Sequence, residues 1–134
     1  MSKVTLVTGL WDISRSELSE GWGRSFEDHY IPKFKELLEV PHNLIIFGEE
    51  SLRETVFSIR SKENTQFIVR DKTWFNNEFF NKIQEIRKNP DWYNLAGWLK
   101  ESTQASLEYY NPLVMSKMFL LNDARIMDTF DSDQ

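Results

Sequence analysis

The apolar and polar positions of this chain change period several times, and each change predicts an element. Lys3 to Gly9 (K-V-T-L-V-T-G) alternates apolar with small polar groups, is rich in β-branched side chains and ends at a glycine, which predicts a strand. Leu10 to Gly23 carries Ser14, Ser16, Ser19, Gly21 and Gly23, the chemistry of a loop. Ser25 stands where it can cap a helix, with Asp28 three residues on, and Phe26, Tyr30, Phe34, Leu37 and Leu38 share one helical face. Pro32 lies inside that stripe and removes a backbone donor, so a break or a restart of the helix is expected there. After Pro41, Asn43 to Gly48 (N-L-I-I-F-G) is a continuous apolar run, the pattern of a strand buried on both faces. Ser51 to Arg60 returns to helical spacing with Leu52, Val56 and Ile59 on one side, and Thr65 to Val69 (T-Q-F-I-V) reads as a third strand. Strands alternating with helices at this spacing predict βαβ units, hence an α/β fold with a Rossmann-like parallel sheet and flanking helices.

The second half changes character. Thr73 can cap a helix with the stripe Phe75, Phe79, Ile83 and Ile86, ended by Asn89-Pro90. Trp92 to Tyr110 reads as largely helical, though Gly97 weakens it. Asn111-Pro112 then reads as an N-cap with proline at the first helical position, followed by Leu113, Lys117, Leu120 and Ala124 in one row and Val114, Met118 and Leu121 in another. The acidic end, Asp128 to Gln134, is expected to fray. Three strands are few for so many helices, which points to a larger α/β domain.

Composition narrows the classes. The 134 residues suit one domain, and 14% aromatic content supplies apolar area enough to fold. A net charge of -5 argues against binding a nucleic-acid backbone. No apolar run approaches the ~18 residues of a membrane span, and Met1-Ser-Lys has no signal-like core behind it, so a cytoplasmic location is expected. With no cysteine there is neither disulfide nor thiolate chemistry.

The strand-to-loop junction from Thr8 to Arg15 is the most suggestive stretch, because ligands of open α/β sheets bind beyond the carboxyl ends of the strands. A glycine there lets a ligand approach the backbone, Asp12 can accept from a ribose or base, and Arg15 can pair with phosphate. An ordinary solvated loop has the same composition. Gly21-Trp22-Gly23 lacks the third glycine of a phosphate cradle, and His29 and His42 have no metal-ligand spacing. Asp131-Ser132-Asp133 spells the D-x-D of sugar transferases, yet it stands in a polar tail rather than at the end of an apolar strand. Of five tryptophans, Trp74 reads as packing beside Phe75, Phe79 and Phe80, while Trp11 and Trp22 lie in the ligand-loop region. Ser116 and Lys117, near the start of the last helix, could meet an anion at a helix N-terminus.

Together, V-T-G-L-W-D-I-S-R (Val7 to Arg15), N-L-I-I-F-G-E-E (Asn43 to Glu50), Arg60 ahead of T-Q-F-I-V, and Y-N-P-L-V-M-S-K-M-F-L-L-N-D-A (Tyr110 to Ala124) resemble the HtrL/YibB family along essentially the whole chain. These bacterial and viral proteins are regarded as glycosyltransferases with a GT-A-like fold. The resemblance implies transfer of a sugar from a nucleotide-sugar donor to a glycan-type acceptor, with Mn or Mg assisting in the full-length enzyme. It puts Thr8, Gly9, Leu10, Trp11, Asp12 and Arg15 near the nucleotide and Ser116 with Lys117 near the donor, and it names no catalytic residue. Family members continue past the F-x-S-D segment (Phe130 to Asp133) into an apolar strand ending in an acidic residue, so the chain corresponds to the N-terminal, nucleotide-binding portion. A different class is also open: a non-catalytic module that self-associates as a homo-oligomer, or pairs with a partner, through an open sheet edge.

Overall fold

The computed structural model describes residues 4–18, 22–76 and 79–132. In chain order the elements are strand β1 (Thr5–Leu10), helix α1 (Ile31–Leu38), strand β2 (Asn43–Gly48), helix α2 (Arg53–Ile59), strand β3 (Thr65–Val69), and helices α3 (Phe80–Arg87), α4 (Pro90–Tyr93), α5 (Thr103–Ser106) and α6 (Tyr110–Met127). The chain divides into two compact units, one of residues 1–11, 32–71 and 117–134, the other of residues 12–31 and 72–116.

The first unit holds a three-stranded sheet in the order β1-β2-β3, parallel throughout, with Val7 opposite Ile45 and Ile45 opposite Gln66. This is the mixed α/β, Rossmann-like layout expected. Leu44 to Gly48 are all buried, as the uninterrupted apolar run requires of a central strand covered on both faces. Side chains alternate between the two faces. Leu52 meets the face that carries Gly48, whereas Asp123 and Met127 of α6 reach Arg70, whose guanidinium lies over the Phe47 ring on the other face. Phe34, Leu38, Val56, Ile68, Leu120 and Ala124 are also buried apolar residues of this unit.

Arg60 holds the joints of this unit. It is buried, and all five of its N–H groups are used: Nε donates to Thr65 Oγ1 (2.7 Å), Nη1 to the carbonyls of Leu38 and Val40 (both 2.8 Å), and Nη2 to those of His42 and Asn64. Leu38 ends α1, so the guanidinium satisfies carbonyls that a helix terminus leaves without partners and meets the negative end of its dipole. Burial lowers its pKa from the ordinary arginine value.

The second unit is built from short pieces. The Ser25 hydroxyl accepts from Asp28 N (3.1 Å), as expected of a cap, and a wide turn over Phe26–Tyr30 precedes α1, which restarts at Ile31 beside Pro32. The helix expected from Thr73 begins only at Phe80. A tight turn over Lys72–Phe75 closes first through Asn76 N to Thr73 O, and asparagine competes with the helical backbone at that point. Phe75 and Ile83 are buried, but Phe79 and Ile86 are each 42% exposed. Trp92 to Tyr110 is not one helix. It consists of the end of α4, a turn at Leu99–Glu101 and α5, because Asn94, Gly97 and the new N-cap Ser102 interrupt it. Asn89 caps α4 with Pro90 at its first turn. Likewise α6 starts at Tyr110, so Asn111 is not its cap; the Asn111 amide donates to Gln104 O (2.9 Å), and Pro112 sits in the first turn, where a missing N–H costs nothing.

The acidic tail is fastened through residue 132. The Asp128 carboxylate accepts from Phe130 N (2.8 Å) and Ser132 N (3.0 Å), Thr129 bonds Gln66 of β3, and the hydroxyls of Ser132 and Thr5 bond each other. Asp133 of the D-x-D, with Lys3, Ser19 and Gly21, lies outside the described residues.

Candidate functional site

The carboxyl end of the sheet is where the sequence places its ligand loop. β1 ends at Leu10, and Trp11 turns back over the strand: its indole Nε1 donates to the carbonyl of Arg70, just past the end of β3 (2.6 Å). One side chain therefore ties the ends of the two outer strands across β2. A Cβ on Gly9 would stand 2.6 Å from the indole and 3.2 Å from the Phe47 carbonyl, so glycine is needed for the close approach of the protein's own ring. Gly48 has the same function beside Leu52, whose Cδ2 would be 2.9 Å from an added Cβ. Arg70 continues the ladder, donating from its N to Gly48 O (2.8 Å), and its guanidinium lies 5.7 Å from the Phe47 ring centroid and 3.8 Å from the Asp123 carboxylate.

The residues named by the resemblance divide between the units. Thr8, Gly9, Leu10, Trp11 and Lys117 belong to the sheet unit, and Asp12, Arg15 and Ser116 to the other. Asp12 is exposed, and its Oδ1 accepts from Ser14 N (2.9 Å) in an Asx turn that leads into the left-handed conformation of Ser14 (φ 66°). Arg15 braces its own loop, with Nε on the Trp22 carbonyl (3.1 Å) and Nη1 on the Tyr30 hydroxyl (2.8 Å). Ser116 is buried and donates to Pro112 O (2.6 Å), one helical turn back. Lys117 is exposed two turns into α6, past the first turn where a helix dipole is felt.

Among the described residues no group of three or more His, Asp or Glu side chains could hold a metal ion, and no helix is long and apolar enough to cross a membrane. The tryptophans have different situations. Trp11 is buried, Trp74 packs edge-on to buried Phe75 (5.4 Å), and Trp22 stacks on Trp98 (6.3 Å between centroids, 20° between planes), which is 56% exposed. Sequence reasoning missed the bracing contacts of Arg60 and Arg70, because a lone arginine after a helix or strand has no periodic signature. Only the fold shows which carbonyls it faces.

A model of the family described as "Bacterial protein of unknown function (HtrL_YibB)" matches residues 2–134. No curated protein and no solved structure matches the chain.

Proposed function

The chain belongs to the HtrL/YibB family, and we propose that it is a glycosyltransferase of GT-A-like architecture or the nucleotide-binding fragment of one. The observation that carries this reading is the sheet: three parallel strands in the order β1-β2-β3, with β1 at an edge. Ligands of open α/β sheets bind at the carboxyl ends of the strands, and the Thr8-to-Arg15 stretch leaves the sheet at the carboxyl end of β1. A nucleotide-sugar binds there in this reading. Asp12, whose Oδ1 is held by its turn, offers Oδ2 to a ribose hydroxyl. The resemblance gives Thr8, Gly9, Leu10, Trp11 and Arg15 to the nucleotide and Ser116 with Lys117 to the donor.

Transfer forms a bond from an acceptor hydroxyl oxygen to the anomeric carbon as the bond from that carbon to the phosphate oxygen breaks, and it releases the hydroxyl proton and a nucleoside diphosphate (a monophosphate from a CMP-sugar). A bound Mn or Mg ion would offset the charge of that leaving group. The described residues do not form a cage for such an ion, so no step is assigned through one.

The test is a melting curve of the chain with UDP, GDP, CMP and their sugars, each with Mn²⁺. A nucleotide at ~100 times its Kd should add about 2.7 kcal/mol, a rise of a few degrees. That rise should vanish in Asp12→Ala and shrink in Lys117→Ala. Indifference to every nucleotide overturns the proposal. The second reading, a self-associating binding module, is favoured by exposed apolar residues on α6, Met118 (73%) and Ile126 (67%) among them. Sedimentation separates the two: a nucleotide-binding monomer supports the first, an oligomer blind to nucleotides the second.

A further inference from the structure

The second unit contains a cleft that the reading above does not use. It has a volume of about 460 Å³ and is lined by Glu17, Leu18, Lys100, Glu101, Ser106 and Leu107. That is within the ~300–1,000 Å³ typical of small-molecule sites. Buried Leu107 and half-buried Leu18 give it an apolar floor, while Glu17, Lys100 and Glu101 are exposed.

Its walls are held in place locally. Leu18 N donates to Arg15 O (3.3 Å), and Arg15 is fixed on Trp22 and Tyr30. On the other wall Glu101 N donates to Trp98 O (3.3 Å), Ser106 Oγ donates to Lys100 O (3.3 Å), and the Lys100 ammonium lies 5.5 Å from the Tyr93 ring centroid.

We infer that this cleft is a saccharide-binding site, distinct from the nucleotide site proposed at the sheet. The charges decide against a nucleotide: two carboxylates and one ammonium sum to -1, which repels a phosphate or diphosphate. Two carboxylates accept hydrogen bonds and so call for a ligand rich in donors, as sugar hydroxyls are. Lys100 donates to a ring or hydroxyl oxygen. The apolar floor of Leu18 and Leu107 suits the C–H face that a pyranose presents beside its hydroxyl edge. A purely apolar ligand would strip water from three charges with nothing in return.

The experiment uses the full chain and methyl glycosides of glucose, galactose and N-acetylglucosamine, with lactose, maltose and chitobiose, followed by saturation-transfer NMR and tryptophan fluorescence. At least one should bind with a Kd at or below about 10 mM, the weak end of specific recognition. Glu17→Gln and Glu101→Gln change exposed side chains that line the cleft; each should weaken binding about 5-fold or more while the melting temperature stays within a degree or two. Asp12→Ala should leave sugar binding unchanged, so loss of the nucleotide response and loss of the sugar response are separable. No binding by any of the six sugars, or binding untouched by both cleft variants, overturns the inference. So does displacement of a bound sugar by methylammonium but by no other sugar, since it would mark the cleft as a cation site.

Discussion

The two units reach order by different means. In the sheet unit, long apolar runs pair in parallel register across many residues of sequence, and a few buried side chains close the joints: Arg60 gathers five acceptors, and Trp11 spans the ends of β1 and β3. The second unit has no strand among its described residues, and its short pieces are held by local devices. These are the Ser25, Asn89 and Ser102 caps, the Asn111 amide on Gln104, and ring pairs such as Phe80–Tyr109 at 5.5 Å. In the first unit the stabilisation is concentrated. In the second it is distributed over contacts worth about 1 kcal/mol each.

The sharpest way to break this contrast is Arg60→Ala. It takes the guanidinium donors from the carbonyls of Leu38, Val40 and His42 and from the Thr65 hydroxyl, while Asn64 O keeps the bond from Leu44 N, and it should cost about 3–5 kcal/mol in denaturant titration. Arg60→Lys should recover only part, since an ammonium has three donors and no planar fork. The surface pair Glu50–Arg53 provides the control, because removing an ion pair that solvent screens should leave the denaturant midpoint almost where it was. Equal losses at both sites would end the idea of a concentrated joint.

Gly9→Ala comes next, at about 1–3 kcal/mol, because the new methyl meets the Trp11 indole at 2.6 Å. The double-mutant cycle with Trp11→Ala sharpens the reading. With the ring gone, Gly9→Ala should cost almost nothing, giving a strong coupling between the two positions. Additive losses would mean that the Phe47 carbonyl, at 3.2 Å, and not the indole, requires the glycine.

For the second unit, Ser102→Ala tests the distributed picture. The Ser102 hydroxyl is fully buried, donates to Leu99 O (2.5 Å) and accepts from Ala105 N (3.3 Å). Its loss should cost about 1 kcal/mol and should appear mainly as faster amide exchange at Ala105 and Ser106. A cost matching that of Arg60→Ala would show that this unit, too, depends on a single joint.

The same contrast governs what was legible in the sequence. The strands at Asn43–Gly48 and Thr65–Val69 were readable because burial of contiguous apolar residues leaves a direct pattern, and parallel pairing followed from the helices between them. The long helices expected from Thr73 and from Trp92 were overread. Their stripes had helical spacing, but Asn76, Asn94, Gly97 and Ser102 each redirect the backbone through local hydrogen bonds or flexibility that a 3.6-residue period does not register. At the site, Gly9 and Asp12 were visible as a strand-end glycine and acid. The ring filling the space above Gly9 was not, because Trp11 is two residues away and its orientation depends on Arg70, 59 residues further on. The cleft at Glu17 and Lys100 likewise joins segments that no local pattern connects.

The smallest effect concerns the tail, where a sheet-unit strand meets a device of the local kind. Burial acts to raise the pKa of Asp128, but hydrogen bonds from Phe130 N, from the Ser132 hydroxyl and from Ser132 N outweigh it and hold the carboxyl below its ordinary value. A carboxyl with a lowered pKa in the folded state contributes stability above its unfolded pKa of about 3.9, and that contribution disappears as pH falls through the lower folded value. The tail over 128–132 should therefore hold at neutral pH and loosen below about pH 4, seen as loss of protection at the Phe130 and Ser132 amides before the amides of β2 respond. Asp128→Asn should bring the same loosening at pH 7 and remove its pH dependence, with little change in global stability. If the β2 amides lose protection together with the tail, the turn at Asp128 is part of the concentrated core rather than a local fastening, and the distinction between the two modes of order does not extend to the tail.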